Sequence, residues 1–150
     1  MAPDDGIVLK LRAEDGEDLA VVSACLQDAL VPVRDFAYVP QDRAFVFVAN
    51  RFRWESGLQP APGETGFQRI LCGITFREVT AVSYFGFRRS EGGRILSLLA
   101  IRPENGIIHL EFSGAAAIRL KVARIFCHAK DIGEPWPTPW QPRHDVDERA

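Results

Sequence analysis

The stretch Arg94-Ile-Leu-Ser-Leu-Leu-Ala-Ile-Arg-Pro-Glu-Asn-Gly-Ile-Ile-His-Leu-Glu-Phe-Ser-Gly-Ala-Ala-Ala-Ile-Arg-Leu-Lys-Val-Ala-Arg-Ile-Phe-Cys-His-Ala-Lys-Asp-Ile132 decides the fold class. It reads as three consecutive antiparallel strands joined by two tight turns. A strand sends alternate side chains to opposite faces, so Ile108, Leu110 and Phe112 share one face while Ile107, His109 and Glu111 share the other. In the next strand Ile118, Leu120 and Val122 alternate with Arg119 and Lys121. Closing the hairpin over Gly114-Ala115-Ala116 sets Phe112 opposite Ile118, Leu110 opposite Leu120 and Glu111 opposite Arg119, which satisfies both faces at once. Asn105-Gly106 supplies the other turn, because both residues accept the positive φ of tight hairpins. The alternation slips at Ala123-Arg124 and resumes at Ile125, Cys127 and Ala129, the signature of a bulge.

Working outward, Ile7 to Arg12 alternates as a first strand. The acidic run from Glu14 to Asp18 then opens a helix over residues 16–30, with Asp15 as N-cap and Leu19, Val22, Leu26 and Leu30 at helical spacing. Carboxylates in the first turn suit the positive end of the helix dipole. Val33 to Val39 reads as a short strand, Pro40-Gln41-Asp42 as a turn and Arg43 to Glu55 as a long strand. Residues 56–66 are Gly- and Pro-rich and read as a loop. Phe67 to Arg77 follows as a strand with Ile70, Cys72, Ile74 and Phe76 inward, then Glu78 to Phe87, with Ser90 to Gly93 as a hairpin tip.

One helix and seven or eight strands with short connections predict an α+β, mostly β architecture: an antiparallel barrel or sandwich with one N-terminal helix. Parallel topology is excluded because no helices remain to make the crossovers. At 150 residues the chain suits one domain, since about 70% of the unfolded surface can be buried at that size. That domain spans 1–132, and 133–150 forms a Pro/Trp-rich tail docked to it as far as about residue 145.

The net charge of −2 exerts no global pull on nucleic acid or membrane, although an Arg-dominated middle lies between acidic ends. Cys25, Cys72 and Cys127 stand apart among apolar residues with no C-x-x-C spacing, which points to buried thiols in a reducing, cytoplasmic compartment. No apolar run is long enough to span a membrane and the acidic N-terminus lacks a signal-peptide core.

No phosphate loop, nucleophile elbow, dinucleotide fingerprint or zinc-protease motif is present, so neither a catalytic residue, a metal nor a cofactor is assigned. His109 and His128 fall at predicted surface positions. In Asn50-Arg51-Phe52-Arg53-Trp54-Glu55, cations and aromatics interleave as nucleic-acid binding would require. Alternation, however, sends Phe52 and Trp54 to the core and Arg51 and Arg53 to a solvated face, although Phe45 and Phe47 interrupt that face. This separation argues against nucleic acid and for a face that engages a protein or a small anionic ligand, extended by Arg69, Arg77, Arg88 and Arg89 where strands align them. The tail carries Trp136 and Trp140, which cost too much to leave in water and are expected to seal the core. Its alternative role is to present Arg143 and His144 to a ligand.

The segments Leu9-Lys-Leu-Arg-Ala-Glu-Asp15, Leu26-Gln-Asp-Ala29, Asn50-Arg-Phe-Arg-Trp-Glu55 and Leu98-Leu-Ala-Ile101, with closing Pro135-Trp-Pro-Thr138 and Pro142-Arg-His-Asp145, resemble a family of small uncharacterised alphaproteobacterial proteins, a domain of unknown function. The resemblance covers almost the whole chain. It implies a single-domain bacterial cytoplasmic protein and carries no activity. The residues therefore point to a non-catalytic binding or adaptor module using Arg51, Arg53 and the Trp-Pro tail. The alternative is a ligand-binding barrel or enzyme with its site in the barrel mouth, and an edge strand could pair with a second copy.

Overall fold

The computed structural model describes residues 9–53 and 67–138. Its elements are β1 (Lys10–Ala13), α1 (Gly16–Cys25), β2 (Leu30–Pro32), β3 (Ala37–Val39), β4 (Ala44–Phe52), β5 (Phe67–Phe76), β6 (Val79–Phe85), β7 (Ile95–Glu104), β8 (Ile107–Phe112), β9 (Ala117–Val122) and β10 (Cys127–Thr138), with 3-10 turns at Val33–Asp35 and Pro40–Asp42. All the pairings are antiparallel, in the order β1-β10-β5-β4-β2-β7-β8-β9-β6, with β3 beside β4. The path of this ten-stranded sheet is open: β1 and β6 end it rather than pairing with each other.

Strand β7 joins the two halves of the sheet. Its first residues pair with β2 and the rest with β8, and the register shifts between Leu98 and Ala100. Just past that irregularity the Ile101 amide donates to Ser23 Oγ of α1 at 2.9 Å, which ties the helix to the bend. Leu19, Val22 and Leu26 enter the core from the helix side. Phe36 lies 5.4 Å from Phe47 and 5.5 Å from Phe112, joining the two halves through edge-on ring contacts. Each such fully buried large apolar side chain contributes about 1.5–3 kcal/mol.

Local signals read well. Asp15 caps α1 by accepting from the Asp18 amide at 2.8 Å, and Asn105 and Gly106 turn with φ of 51° and 80°. The helix is shorter than expected: it ends at Cys25, and Asp28 takes a left-handed φ of 65° that turns Leu30 into β2. The β8–β9 hairpin keeps its predicted faces but slips by two residues, pairing Leu110 with Ile118 and Ile108 with Leu120. The loop is longer than three residues, with Gly114 and Ala115 both at positive φ. Glu111 consequently meets Arg102 of β7 at 2.8 Å instead of Arg119.

Two longer-range expectations fail. The slip at Ala123-Arg124 is no bulge: β9 stops at Val122, and the chain crosses to the other half before β10 begins. The segment around Ser90–Gly93 is not a hairpin tip either, because the strands it connects, β6 and β7, lie on opposite sides of the β8–β9 hairpin. Strand β10 continues through Gly133 into the Pro/Trp segment, pairing Trp136 with Arg69 after a register shift.

Candidate functional site

Arg51 and Arg53 do not form a solvated face. On β4 it is Phe45, Phe47 and Ala49 that point inward, and Arg51 and Arg53 share their side, so the expected orientation is reversed there, although Phe52 on the opposite side is fully buried as expected and Trp54 lies outside the described residues. Arg51 is fully buried and grips Asp131 through two 2.8 Å bonds, Nε to Oδ1 and Nη2 to Oδ2, while its Nη1 donates to the Phe52 carbonyl at 3.3 Å. The Leu9 amide donates to Asp131 Oδ2 at 2.9 Å. Burial alone would raise the Asp131 pKa, but the bonds from Arg51 and Leu9 outweigh it and hold the carboxyl below its ordinary value. Beside it the Cys72 thiol is pushed up to about 12, first by burial and then by Asp131, with Arg51 pulling the other way. Arg53 is also buried and bonds Gln68. These groups knit β4, β5 and β10 together at one end of the core.

The other Arg candidates disperse. Arg69 bonds the Asn50 carbonyl and side chain, both at 3.0 Å, and Arg89 lies over the Tyr84 ring on the far half of the sheet. Trp136 is partly exposed beside Arg69. Trp140, Arg143, His144 and the 56–66 loop lie outside the described residues. His109 sits 3.3 Å from Glu104 on β7. Among the described residues, no group of His, Cys, Asp and Glu side chains converges as a metal-ligand set.

A different surface emerges where the first strand pairs with the last. Directly opposed residues share a sheet face, as do residues two apart along a strand. The registers therefore place two rows on the outer face of β1, β10, β5 and β4. One row is Arg12, His128, Thr75 and Val46; the next is Lys10, Lys130, Gly73 and Val48. Between the rows, over β1 and β10, lies a groove of about 500 Å³ lined by Lys10, Leu11, Arg12, His128, Ala129 and Lys130. Between the same rows, over β5 and β4, lies a depression of about 290 Å³ with Val46, Val48, Gly73 and Thr75 around it and Asp35 at its margin.

The electrostatics of the two ends differ. In the groove, Lys10, Arg12 and Lys130 are exposed and His128 is half-buried. Among the described residues its walls carry no carboxylate; the neighbouring Glu14 stands 3.7 Å from Arg12 and 3.6 Å from Arg124. The His128 pKa is lowered, first by burial and then by Arg12 and Arg77, which favours the neutral ring. Beyond the second row, Leu71 and Ile132 stand opposite each other, 41% and 46% exposed, and Trp136 is 37% exposed farther along β10. The alternation of Lys10 with Arg12 and of His128 with Lys130 is visible in sequence. The pairing that unites them is not.

A family model described as "Protein of unknown function (DUF2948)" matches residues 9–144. No curated protein and no solved structure matches the chain. No helix among the described residues is long and apolar enough to cross a membrane.

Proposed function

The chain belongs to the DUF2948 family, for which no function is assigned, and from its geometry we propose that it is a non-catalytic binding module whose outer sheet face recognises an acidic protein partner. One observation carries this reading: Lys10, Arg12, His128 and Lys130 converge on a groove of about 500 Å³ on the face that also exposes Leu71, Ile132 and Trp136. Exposed apolar side chains beside a cluster of like charge mark docking surfaces. Protection of a short edge strand would account for Lys10 and Arg12. It does not account for Lys130 and His128 on β10, which has neighbours on both sides. A reducing, cytoplasmic setting belongs to the same reading, because Cys25, Cys72 and Cys127 all stand as thiols.

The test uses the purified chain as bait, wild type against Lys10→Glu/Lys130→Glu, with circular dichroism to verify folding. Acidic proteins should be retained by the wild type at low salt, released as salt rises, and lost to the double variant. Retention of the same proteins by both chains would overturn the proposal.

A further inference from the structure

The groove and the depression lie end to end along the same two residue rows, on adjacent strands, and together mark out one trough that a partner could occupy. The trough runs across the strands. Residues two apart on a strand are about 7 Å apart, which sets its width, and the three inter-strand steps from β1 to β4 give it a length of about 14 Å. Gly73 stands in the second row without a side chain, and the Ile132 side chain leans toward it: a Cβ there would lie 3.0 Å from Ile132 Cδ1 and 3.9 Å from the Lys130 carbonyl oxygen, so a larger residue must displace Ile132 into the trough.

We infer that the element docking in this trough is a single amphipathic helix of the partner, with carboxylates over β1 and β10 and apolar side chains over Gly73. The inference rests on the binding reading above and adds the form of the partner. Charge order supports it: the β1–β10 end is cationic, the β5–β4 end presents Val46, Val48 and Gly73, and Asp35 closes the far margin. A small anion would fill the first end and leave the apolar end in water.

Backbone hydrogen bonding disfavours an extended segment. Strands β10, β5 and β4 have sheet neighbours on both sides, so a chain crossing them finds few ladder groups and leaves its own N–H and C=O groups unpaired. An extended chain added to the edge of β1 would run parallel to the strands and never reach Gly73. A helix satisfies its backbone internally. Its body, about 10–12 Å across, rests on the two rows while one ridge of side chains enters between them. The trough then accommodates about nine residues of helix, with an acidic turn, an apolar turn and a basic or amide residue facing Asp35.

The experiment measures fluorescence anisotropy of a labelled synthetic helix of about 14 residues in that charge order. It is compared with a peptide of the same composition permuted to scatter the three classes around the helix, and inorganic phosphate is the competitor. The ordered peptide should bind at least about tenfold tighter than the permuted one, and millimolar phosphate should not displace it. Gly73→Val, with both lysines in place, should weaken binding about tenfold; Gly73→Ser is the smaller second variant. Equal affinity for both peptides, indifference to Gly73→Val, or no binding would overturn the helix. Should both peptides bind equally and both be lost in Lys10→Glu/Lys130→Glu, the helix falls and the binding module stands. Should neither bind, and the pull-down also ignore the double variant, both readings fall.

Discussion

Arg51 and Asp131 form a two-bond fork across an intervening strand: Arg51 belongs to β4, Asp131 to β10, and β5 runs between them. Their side chains are 0% and 1% exposed. Removing one partner of such a pair leaves the other as an uncompensated buried charge, whereas replacing both with apolar groups removes the desolvation cost as well as the attraction. Arg51→Met should therefore destabilise the fold by about 3–5 kcal/mol, measured by urea denaturation. Arg51→Met/Asp131→Leu should recover most of that loss, short of about 1–3 kcal/mol for the Leu9 amide that Asp131 no longer accepts. Additive losses in the double variant would show that the pair is not the unit of stability.

The thiols should differ in reactivity by position. Cys72 and Cys127 are buried, and burial pushes both up to about 12; thiolate, the reactive form, is scarce in both at pH 8. Cys25, at the end of α1, is partly exposed. Iodoacetamide treatment of the native protein followed by mass spectrometry should label Cys25 first, with Cys72 and Cys127 labelled only after denaturant is added. Early labelling of Cys72 would mean that the end of the core holding Arg51 and Asp131 opens in the native state.

Glycines make a matched control. Gly86 has a φ of 80°, and a Cβ there would lie 2.4 Å from the Ala115 carbonyl oxygen, so a methyl group collides with the β8–β9 turn. A Cβ added at Gly93 would meet nothing within 4 Å beyond its chain neighbours. Gly86→Ala should cost about 2 kcal/mol or more, whereas Gly93→Ala should be neutral or stabilise by up to about 1 kcal/mol through the unfolded chain. Thermal denaturation of the two variants distinguishes them directly.

What was legible in the sequence follows the range of the interaction concerned. Asp15 and Asn105-Gly106 act on residues within one turn, and both read correctly. The two-residue slip of Leu110 depended on Gly114 and Ala115 both adopting positive φ, which composition does not specify for an alanine. The orientation of β4 is not legible locally, because a guanidinium turns inward only with its counterion, and Asp131 lies 80 residues away. The interruption by Phe45 and Phe47 was the available signal, since two phenylalanines outweigh one arginine once that arginine is paired. The outer trough could not be read at all: Lys10 and Lys130 become neighbours only when β1 closes on β10.

His128 links this trough to pH. Burial first, then Arg12 and Arg77, hold its pKa below the ordinary 6.5, with Glu14 pulling the other way. The unfolded chain therefore takes up a proton at this residue before the folded chain does. Stability contributed by neutral His128 is present above about pH 6.5 and is lost as pH falls below it toward the folded-state pKa. Wild type should accordingly lose denaturation midpoint relative to His128→Gln between about pH 7.5 and pH 5.5, because glutamine cannot titrate. An acidic partner in the groove reverses the sign: its carboxylates favour the imidazolium, so binding takes up a proton and affinity rises on acidification in wild type but not in His128→Gln. Parallel stability curves for the two proteins would show that neither burial nor Arg12 and Arg77 lowers the His128 pKa, whatever the partner.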